Sequence, residues 1–311
     1  MEHYISTNNI KNLSTLIQEA IDLKADSYKF EEAGKHKTLV MLFFNASLRT
    51  RLSTEKAAKN LGMQVMILNV ADAWNLEFED GVTMNLDKAE HIKDAAQVIS
   101  QYGDMIAIRA FPSLKDKQKD RSELVINGFI KHATVPIINM ESATAHPLQA
   151  LTDAITIEEL KTKANPKVVL SWAPHPKALP HAVANSFVGM MQQMDVDFSI
   201  THPKGYELDP EITKNTPINH NQEAALKDAD FVYVKNWSSY TDYGKVVSQD
   251  SSWMLTQEKL GRAKFMHCLP VRRNVVVEDA VIDSSNSVVI HQANNRTFAA
   301  QIIMKKLLEH L

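Results

Sequence analysis

Apolar residues recur at helical spacing over residues 10–21, at Ile10, Leu13, Leu16, Ile17, Ala20 and Ile21, and are followed by a continuous apolar run at 39–44. The run predicts a buried strand. Residues 52–61 read as a helix that stops at Gly62, a suitable C-terminal cap, before a second strand-like run at 65–68. Further strands are predicted at 105–108, 135–140, 168–172, 198–200, 231–234 and 265–267. Helical patterns fall between most of them, as at 92–102, 148–160 and 183–194, and a last helix is expected at 297–311 with Ile302, Ile303, Leu307 and Leu308 as its apolar stripe. Strands alternating with helices imply parallel sheets covered on both faces. Eight strands fit one barrel or two open sheets, and the long helix started by Pro147 predicts a seam. The expected fold is α/β with two doubly wound parallel-sheet domains.

Composition agrees with this and narrows the chemistry. A chain of 311 residues, 44% hydrophobic and 23% charged, is an ordinary globular protein of about two domains. It has only 9 glycines, and no two lie closer than Gly189 and Gly205. That spacing excludes G-x-G-x-x-G and G-x-x-x-x-G-K, so a conventional dinucleotide fingerprint and a P-loop are both absent. A formal charge of −3 without a basic stripe argues against a nucleic-acid partner and toward small molecules. The single cysteine, Cys268, excludes an intrachain disulfide and a cysteine-cluster zinc site. No signal core and no membrane-length apolar run is seen, so the expected location is the cytoplasm.

In open parallel sheets, ligands bind beyond the carboxyl ends of strands, so the residues following each apolar run are the candidates. After the first run come Ser47, Leu48, Arg49, Thr50 and Arg51; after Ile108, Arg109; after Met140, Glu141, Thr144, His146 and Gln149. His175 and Lys177 follow Trp172, Lys235 to Trp237 follow Val234, and His267 to Arg273 follow Met266. These clusters are expected to face one cleft. Two arginines at a helix start oppose the macrodipole unless an anion sits there, which favours an anion site over a solvated first turn. Taken singly, His146 reads equally as a structural histidine and Lys235 as a snorkelling lysine, Trp74 fits simple surface packing, and Cys268 reads sooner as a small hydrophobe than as a functional group. No nucleophile elbow and no H-E-x-x-H is present, so covalent catalysis and zinc hydrolysis lose weight. Convergent cations with few carboxylates point to a phosphate substrate and oxyanion stabilisation.

Ser47-Leu48-Arg49-Thr50-Arg51 resembles the S-x-R-T-R carbamoyl phosphate motif of the aspartate and ornithine carbamoyltransferases. His146-Pro147-Leu148-Gln149 resembles that family's H-P-x-Q, His267-Cys268-Leu269-Pro270 its H-C-L-P, and Asn295-Arg296 its late N-R element, in the same order. The resemblance implies a carbamoyl phosphate domain at 1–146 rejoined by 296–311, and an acceptor domain at 147–295. It implies that Ser47, Leu48, Arg49, Thr50, Arg109 and Arg296 hold the phosphate, and that Arg109 and His146 polarise the carbamoyl oxygen. Pro147 and Leu148 belong to the same site, and Gln149 with the backbone at Cys268 and Leu269 orients the carbamoyl NH₂. It further implies a homotrimer with shared active sites, in which Trp74 reaches a neighbouring subunit, and no metal or organic cofactor.

The acceptor follows from what replaces the D-x-x-x-S-M-G loop of free-ornithine enzymes, which is absent. Lys235-Asn236-Trp237, with residues 172–177 and Glu141, resembles the N-acylornithine branch of the family. There Glu141, His175, Lys235, Leu269 and Arg272 would contact the acylornithine, with Lys235 near its carboxylate. Acetyl-type enzymes place Glu, and succinyl-type enzymes Pro, in the segment matching 87–91; this chain has Ala89, which leaves room and no charge. A carboxylate there would repel a succinyl group, so the expected acceptor is N-succinylornithine. N-acetylornithine and another amine such as putrescine or aspartate are the alternatives. A silent binding homologue and an NAD-linked dehydrogenase are disfavoured, the first by the intact arginines and the second by the missing glycines.

Overall fold

The computed structural model describes residues 1–70 and 75–311, so the expectation for Trp74 lies outside the described residues. The chain forms two compact units, one of Met1–Leu148 with Arg296–Leu311 and one of Gln149–Asn295.

In the first unit α1 (Leu13–Asp22) is capped by Asn12, whose side chain accepts from the Thr15 N–H, so the helix starts three residues later than its apolar pattern. The predicted strands at 39–44 and 65–68 are β1 (Thr38–Phe43) and β2 (Gln64–Asn69), with α2 (Arg49–Asn60) between them. Gly62 ends that passage at φ +79°, where an added Cβ would stand 2.0 Å from the Glu31 carbonyl oxygen. Only glycine fits there. Two short strands absent from the sequence reading, β3 (Leu76–Glu77) and β4 (Glu90–His91), pair with each other. They precede α3 (Ile92–Tyr102), β5 (Met105–Arg109), α4 (Lys117–Arg121), α5 (Leu124–His132) and β6 (Ile137–Glu141). The sheet order is β2-β1-β5-β6, with every pairing parallel. Val40, Leu42, Ile106 and Ile108 pack on one side against Ile92, Ala96, Ile99, Ile126 and Phe129. The alternate residues Leu39, Met41, Met105 and Ala107 are also fully buried, so the sheet is covered on both faces.

α6 (Pro147–Leu160) carries the chain into the second unit, and α12 (Val289–Leu308) carries it back. α12 begins eight residues before the expected 297, because Val289, Gln292 and Asn295 already make buried helical contacts that a purely apolar pattern does not register. Asn295 and Arg296 therefore sit inside the helix rather than ahead of it. Between these helices lie β7 (Lys167–Trp172), α7 (Ala182–Met191), β8 (Asp197–Thr201), α8 (Pro210–Thr213), β9 (Ile218–Asn219) and α9 (Gln222–Leu226). β10 (Phe231–Lys235), α10 (Gln257–Leu260), β11 (Lys264–Met266) and α11 (Asp279–Ile282) complete the unit. The sheet runs β11-β10-β7-β8-β9, again all parallel. Val169, Val232, Val234 and Phe265 face Leu226, Leu255, Leu260 and Val281, while Tyr233 packs on Phe187 with ring centroids 4.4 Å apart on the other side. Both units are doubly wound. Among the described residues, no helix is long and apolar enough to cross a membrane.

Candidate active site

Each sheet reverses its strand order once, and the candidate residues collect at those two switch points. In the first unit the reversal lies between β1 and β5, which end side by side at Phe43 and Arg109, with Glu141 of β6 beside Arg109. In the second it lies between β7 and β10, which end in register at Trp172 and Lys235.

The corner after β1 is built around the start of α2. Ser47 Oγ accepts the Thr50 N–H at 3.3 Å, capping the helix where Leu48, exposed beside it, has no side chain able to do so. A cavity of about 600 Å³ opens here, lined by Phe44, Asn45, Ser47, Leu48, Arg51 and Asn69 among others. Arg49 and Arg51 occupy the first turn, and Arg51 lies 5.5 Å from the Phe43 ring with Nη2 donating to Asn69 at 3.4 Å. Thr50 is buried, and its hydroxyl oxygen accepts from Arg296 at 2.8 Å and from Arg109 at 3.4 Å. Guanidinium groups thus converge on the positive end of a helix dipole. Like charges so placed repel one another and the helix N-terminus, and an anion bound there would relieve that repulsion.

One carboxylate moderates this charge. Glu141 pairs with the Arg109 guanidinium, and its Oε2 lies 3.5 Å from His146 Nε2. Phe111 stacks on the same guanidinium at 4.4 Å. Glu141, expected to touch the acceptor, therefore sits in the first unit as the partner of two residues expected to polarise the carbamoyl oxygen. The turn between Glu141 and His146 is held by Glu123, a residue the sequence reading did not single out. Its carboxylate accepts the Thr144 N–H at 2.7 Å, the Ala143 N–H at 3.2 Å and the Ser142 hydroxyl at 2.7 Å. Glu123 lies 21 positions from Thr144, and nothing local marks it. Pro147 takes the first position of α6, where its missing N–H costs nothing, and its carbonyl accepts from the buried Tyr4 hydroxyl at 3.1 Å. Leu148 beside it is buried.

In the second unit, Gln149 Nε2 donates to Asp153 Oδ1 at 2.7 Å, and Gln292 Nε2 donates to the same oxygen at 2.7 Å. Gln292 Oε1 in turn accepts the His267 N–H at 3.0 Å, and His267 Nδ1 accepts the Leu269 N–H at 2.8 Å. A single buried carboxylate thus connects the predicted Gln149 to the turn that carries Cys268 and Leu269. Gln292 was missed because its partners Asp153 and His267 lie 139 and 25 positions away; Asp153, only four positions from Gln149, was missed because nothing in its own helix shows that Gln292 meets it. Leu269 holds φ +55°, and the Leu269–Pro270 peptide is cis. Residues kept in that region cluster at functional sites. The buried Tyr233 hydroxyl lies beside Asp153 and Cys268; burial and the Asp153 charge push it well above the ordinary phenol range, so it stays neutral.

At the β7/β10 end, Asn236 Nδ2 donates to the Ala173 carbonyl at 2.7 Å, and Trp172 Nε1 donates to the Trp237 carbonyl at 3.0 Å. Asn236 and Trp237 are thereby structural, which leaves Lys235 as the partly exposed member of its trio. Arg272 Nε donates to His175 Nε2 at 3.0 Å, so His175 carries its proton on Nδ1, which meets the Lys177 carbonyl at 2.9 Å. Burial lowers the His175 pKa, and the Arg272, Lys235 and Lys177 charges lower it further. Arg272 and Lys235 with a neutral imidazole suit a carboxylate ligand. Arg273 is committed instead to Asp279 and Asp283, at 2.9 and 2.7 Å. Ala89 is exposed, its N–H donating to the Asn75 carbonyl at 3.0 Å.

Residues 2–159 match the family model for the carbamoyl-P binding domain of aspartate/ornithine carbamoyltransferase, and residues 180–307 match the one for its Asp/Orn binding domain. The chain is 47% identical to N-succinylornithine carbamoyltransferase of Bacteroides fragilis (strain 638R), over 100% of both chains. It is 35% identical to N-acetylornithine carbamoyltransferase of Xylella fastidiosa (strain 9a5c), over 99% of this chain and 98% of that one. The crystal structure of a mutant N-acetyl-L-ornithine transcarbamylase complexed with carbamyl phosphate and N-succinyl-L-norvaline matches with a TM-score of 0.92 at 35% identity, covering 99% of this chain and 100% of that one. With guanidinium groups gathered at one switch point and cationic side chains near the other, this chain belongs to the aspartate/ornithine carbamoyltransferase family, in its N-acylornithine branch.

Proposed function

We propose that this protein transfers the carbamoyl group of carbamoyl phosphate to the δ-amine of N-succinylornithine, giving N-succinylcitrulline and phosphate. The observation that carries the reading is the junction at Thr50, where Arg109 and Arg296 meet at the start of α2. Ser47, Leu48, Arg49 and Thr50, with the two guanidiniums, bind the phosphate. The neutral δ-amine attacks the carbamoyl carbon, forming the C–N bond and a tetrahedral oxyanion that Arg109 and His146 stabilise. Collapse breaks the bond to the phosphate oxygen, phosphate departs, and the amine loses a proton. Gln149 and the backbone at Cys268 and Leu269 orient the carbamoyl NH₂. Electrostatic stabilisation of this kind calls on no resident metal or organic cofactor.

N-succinylornithine carries two carboxylates. Lys235 and Arg272 offer positive charge for them, the neutral His175 offers a hydrogen bond, and Ala89 places no negative charge against the acyl group. The 47% identity to a protein named for succinylornithine supports the same acceptor. Purified protein assayed with carbamoyl phosphate and, separately, N-succinylornithine, N-acetylornithine, ornithine, aspartate and putrescine tests the reading. Turnover is expected with N-succinylornithine foremost. Preference for N-acetylornithine would move the acceptor to that alternative, and turnover with free ornithine alone would overturn the assignment. We further propose a homotrimer in the cytoplasm with Trp74 reaching a neighbouring site; light scattering that reports a monomer would overturn the assembly.

A further inference from the structure

His202, Glu207 and His220 lie at the carboxyl ends of β8 and β9, where the parallel register that pairs Thr201 with Asn219 sets the two histidines next to each other. One nitrogen of each ring and one carboxylate oxygen all fall within 4.8 Å of one another. The ring centroids are 5.0 Å apart and nearly perpendicular. Both rings are oriented in the same way. His202 Nδ1 meets the Pro203 carbonyl at 2.9 Å, and His220 Nδ1 meets the His202 carbonyl at 2.9 Å. A carbonyl only accepts, so Nδ1 is the protonated nitrogen of each imidazole and Nε2 keeps its lone pair. His202 is completely buried, and among the described residues its Nε2 has no hydrogen-bond partner. A buried acceptor is costly to leave unmet, so the Nε2 lone pair calls for a partner.

Histidines that bind metals characteristically donate their other ring N–H to a backbone carbonyl, which fixes the tautomer and aims the lone pair. Both rings here do so. We propose that His202, Glu207 and His220 bind a divalent transition-metal ion of the zinc type. Two imidazoles and a carboxylate form a borderline donor set that suits zinc and cobalt better than magnesium or calcium. Three atoms no more than 4.8 Å apart share a centre within about 2.8 Å of each, so inward shifts of about 0.8 Å reach zinc–nitrogen bonding distance.

The ion would tie β8, β9 and the intervening 203–207 turn together. That turn is packed beneath the acceptor end of the unit: Trp237 Nε1 donates to the Tyr206 carbonyl at 2.8 Å, and Tyr206 lies 4.4 Å from the Trp172 ring. Metal binding would therefore stiffen the ground on which Lys235 to Trp237 rest. The sequence does not announce the site, because its two histidines are 18 positions apart in the chain.

The test uses the full chain freed of metal by chelation and titrated with cobalt(II), followed by zinc. The expected result is one cobalt per chain with visible ligand-field absorption, displaced by zinc, and a higher melting temperature with zinc. His220→Ala and Glu207→Ala are expected to weaken cobalt binding about a hundredfold while melting like the parent in chelator, since neither side chain is buried. Absence of stoichiometric cobalt binding by the parent would overturn the proposal on its own. So would equal binding by the parent and both variants, which would place the metal elsewhere among the 12 histidines.

Discussion

Arg296, in the last helix, donates to the hydroxyl of Thr50 at 2.8 Å across 246 positions of chain. The hydroxyl is buried and also accepts from Arg109, so one small side chain sets the spacing of two guanidiniums. Thr50→Val keeps the volume and removes the acceptor. Hydrogen bonds to charged groups are worth about 1.5–3 kcal/mol. The Michaelis constant for carbamoyl phosphate is therefore expected to rise about 10- to 100-fold. Arg49→Ala is expected to abolish the thermal stabilisation that carbamoyl phosphate gives the parent. Steady-state kinetics and melting curves check both; unchanged stabilisation of Arg49→Ala would remove Arg49 from the site.

Glu123 holds the turn that precedes His146, and in the proposed reaction it would act through that turn. Glu123→Ala strips that turn of acceptors for two backbone N–H groups and the Ser142 hydroxyl. At about 1 kcal/mol or more for each lost bond, kcat is expected to fall at least tenfold. Glu123→Gln, which keeps one acceptor oxygen, should recover part of the loss. A parent-like kcat in Glu123→Ala would show that the turn holds its shape without the carboxylate.

His175 should remain neutral over most of the working pH range. Its folded pKa is lowered from the ordinary 6.5, first by burial and then by neighbouring cations. The unfolded chain therefore takes up the proton at higher pH than the folded one, and folding stability from this residue is lost as pH falls from about 6.5 toward the folded value. NMR titration of the ring is expected to show a midpoint below 6.5. Arg272→Gln should raise that midpoint without bringing it above 6.5, because burial remains. A parent midpoint at or above 6.5 would contradict the arrangement.

Gly62→Ala tests the turn after α2. A Cβ would collide with the Glu31 carbonyl oxygen, and φ +79° disfavours any side chain. The cost is expected to reach about 1–3 kcal/mol, seen as a melting temperature several degrees lower. Carbamoyl phosphate affinity should be nearly unchanged, since the turn lies at the far end of the helix from Ser47.

Much of the fold was legible because strand and helix periods depend on neighbours in sequence. The runs at 39–44, 65–68, 105–108 and 168–172 became β1, β2, β5 and β7 within one or two residues at either end. The two-residue strands β3, β4 and β9 escaped, since so short a stretch has no period to read. His267 was expected inside a strand; the strand ends at Met266, and the His267 N–H turns to the Gln292 side chain instead.

The sequence by itself determined which residues could carry the chemistry: Ser47 to Arg51, Arg109, His146, Gln149, Lys235 and His267 to Arg272 all follow apolar runs, and parallel sheets present those positions at one end. Only the tertiary structure decided what each one meets. That Glu141 neutralises Arg109, that Glu123 holds the turn before His146, that Asp153 meets Gln292, and that His202 stands beside His220 are pairings between residues well separated in the chain. Periodicity records local backbone geometry. A hydrogen bond between distant side chains is set by which strands pair and in what register, and single-sequence patterns do not contain that information.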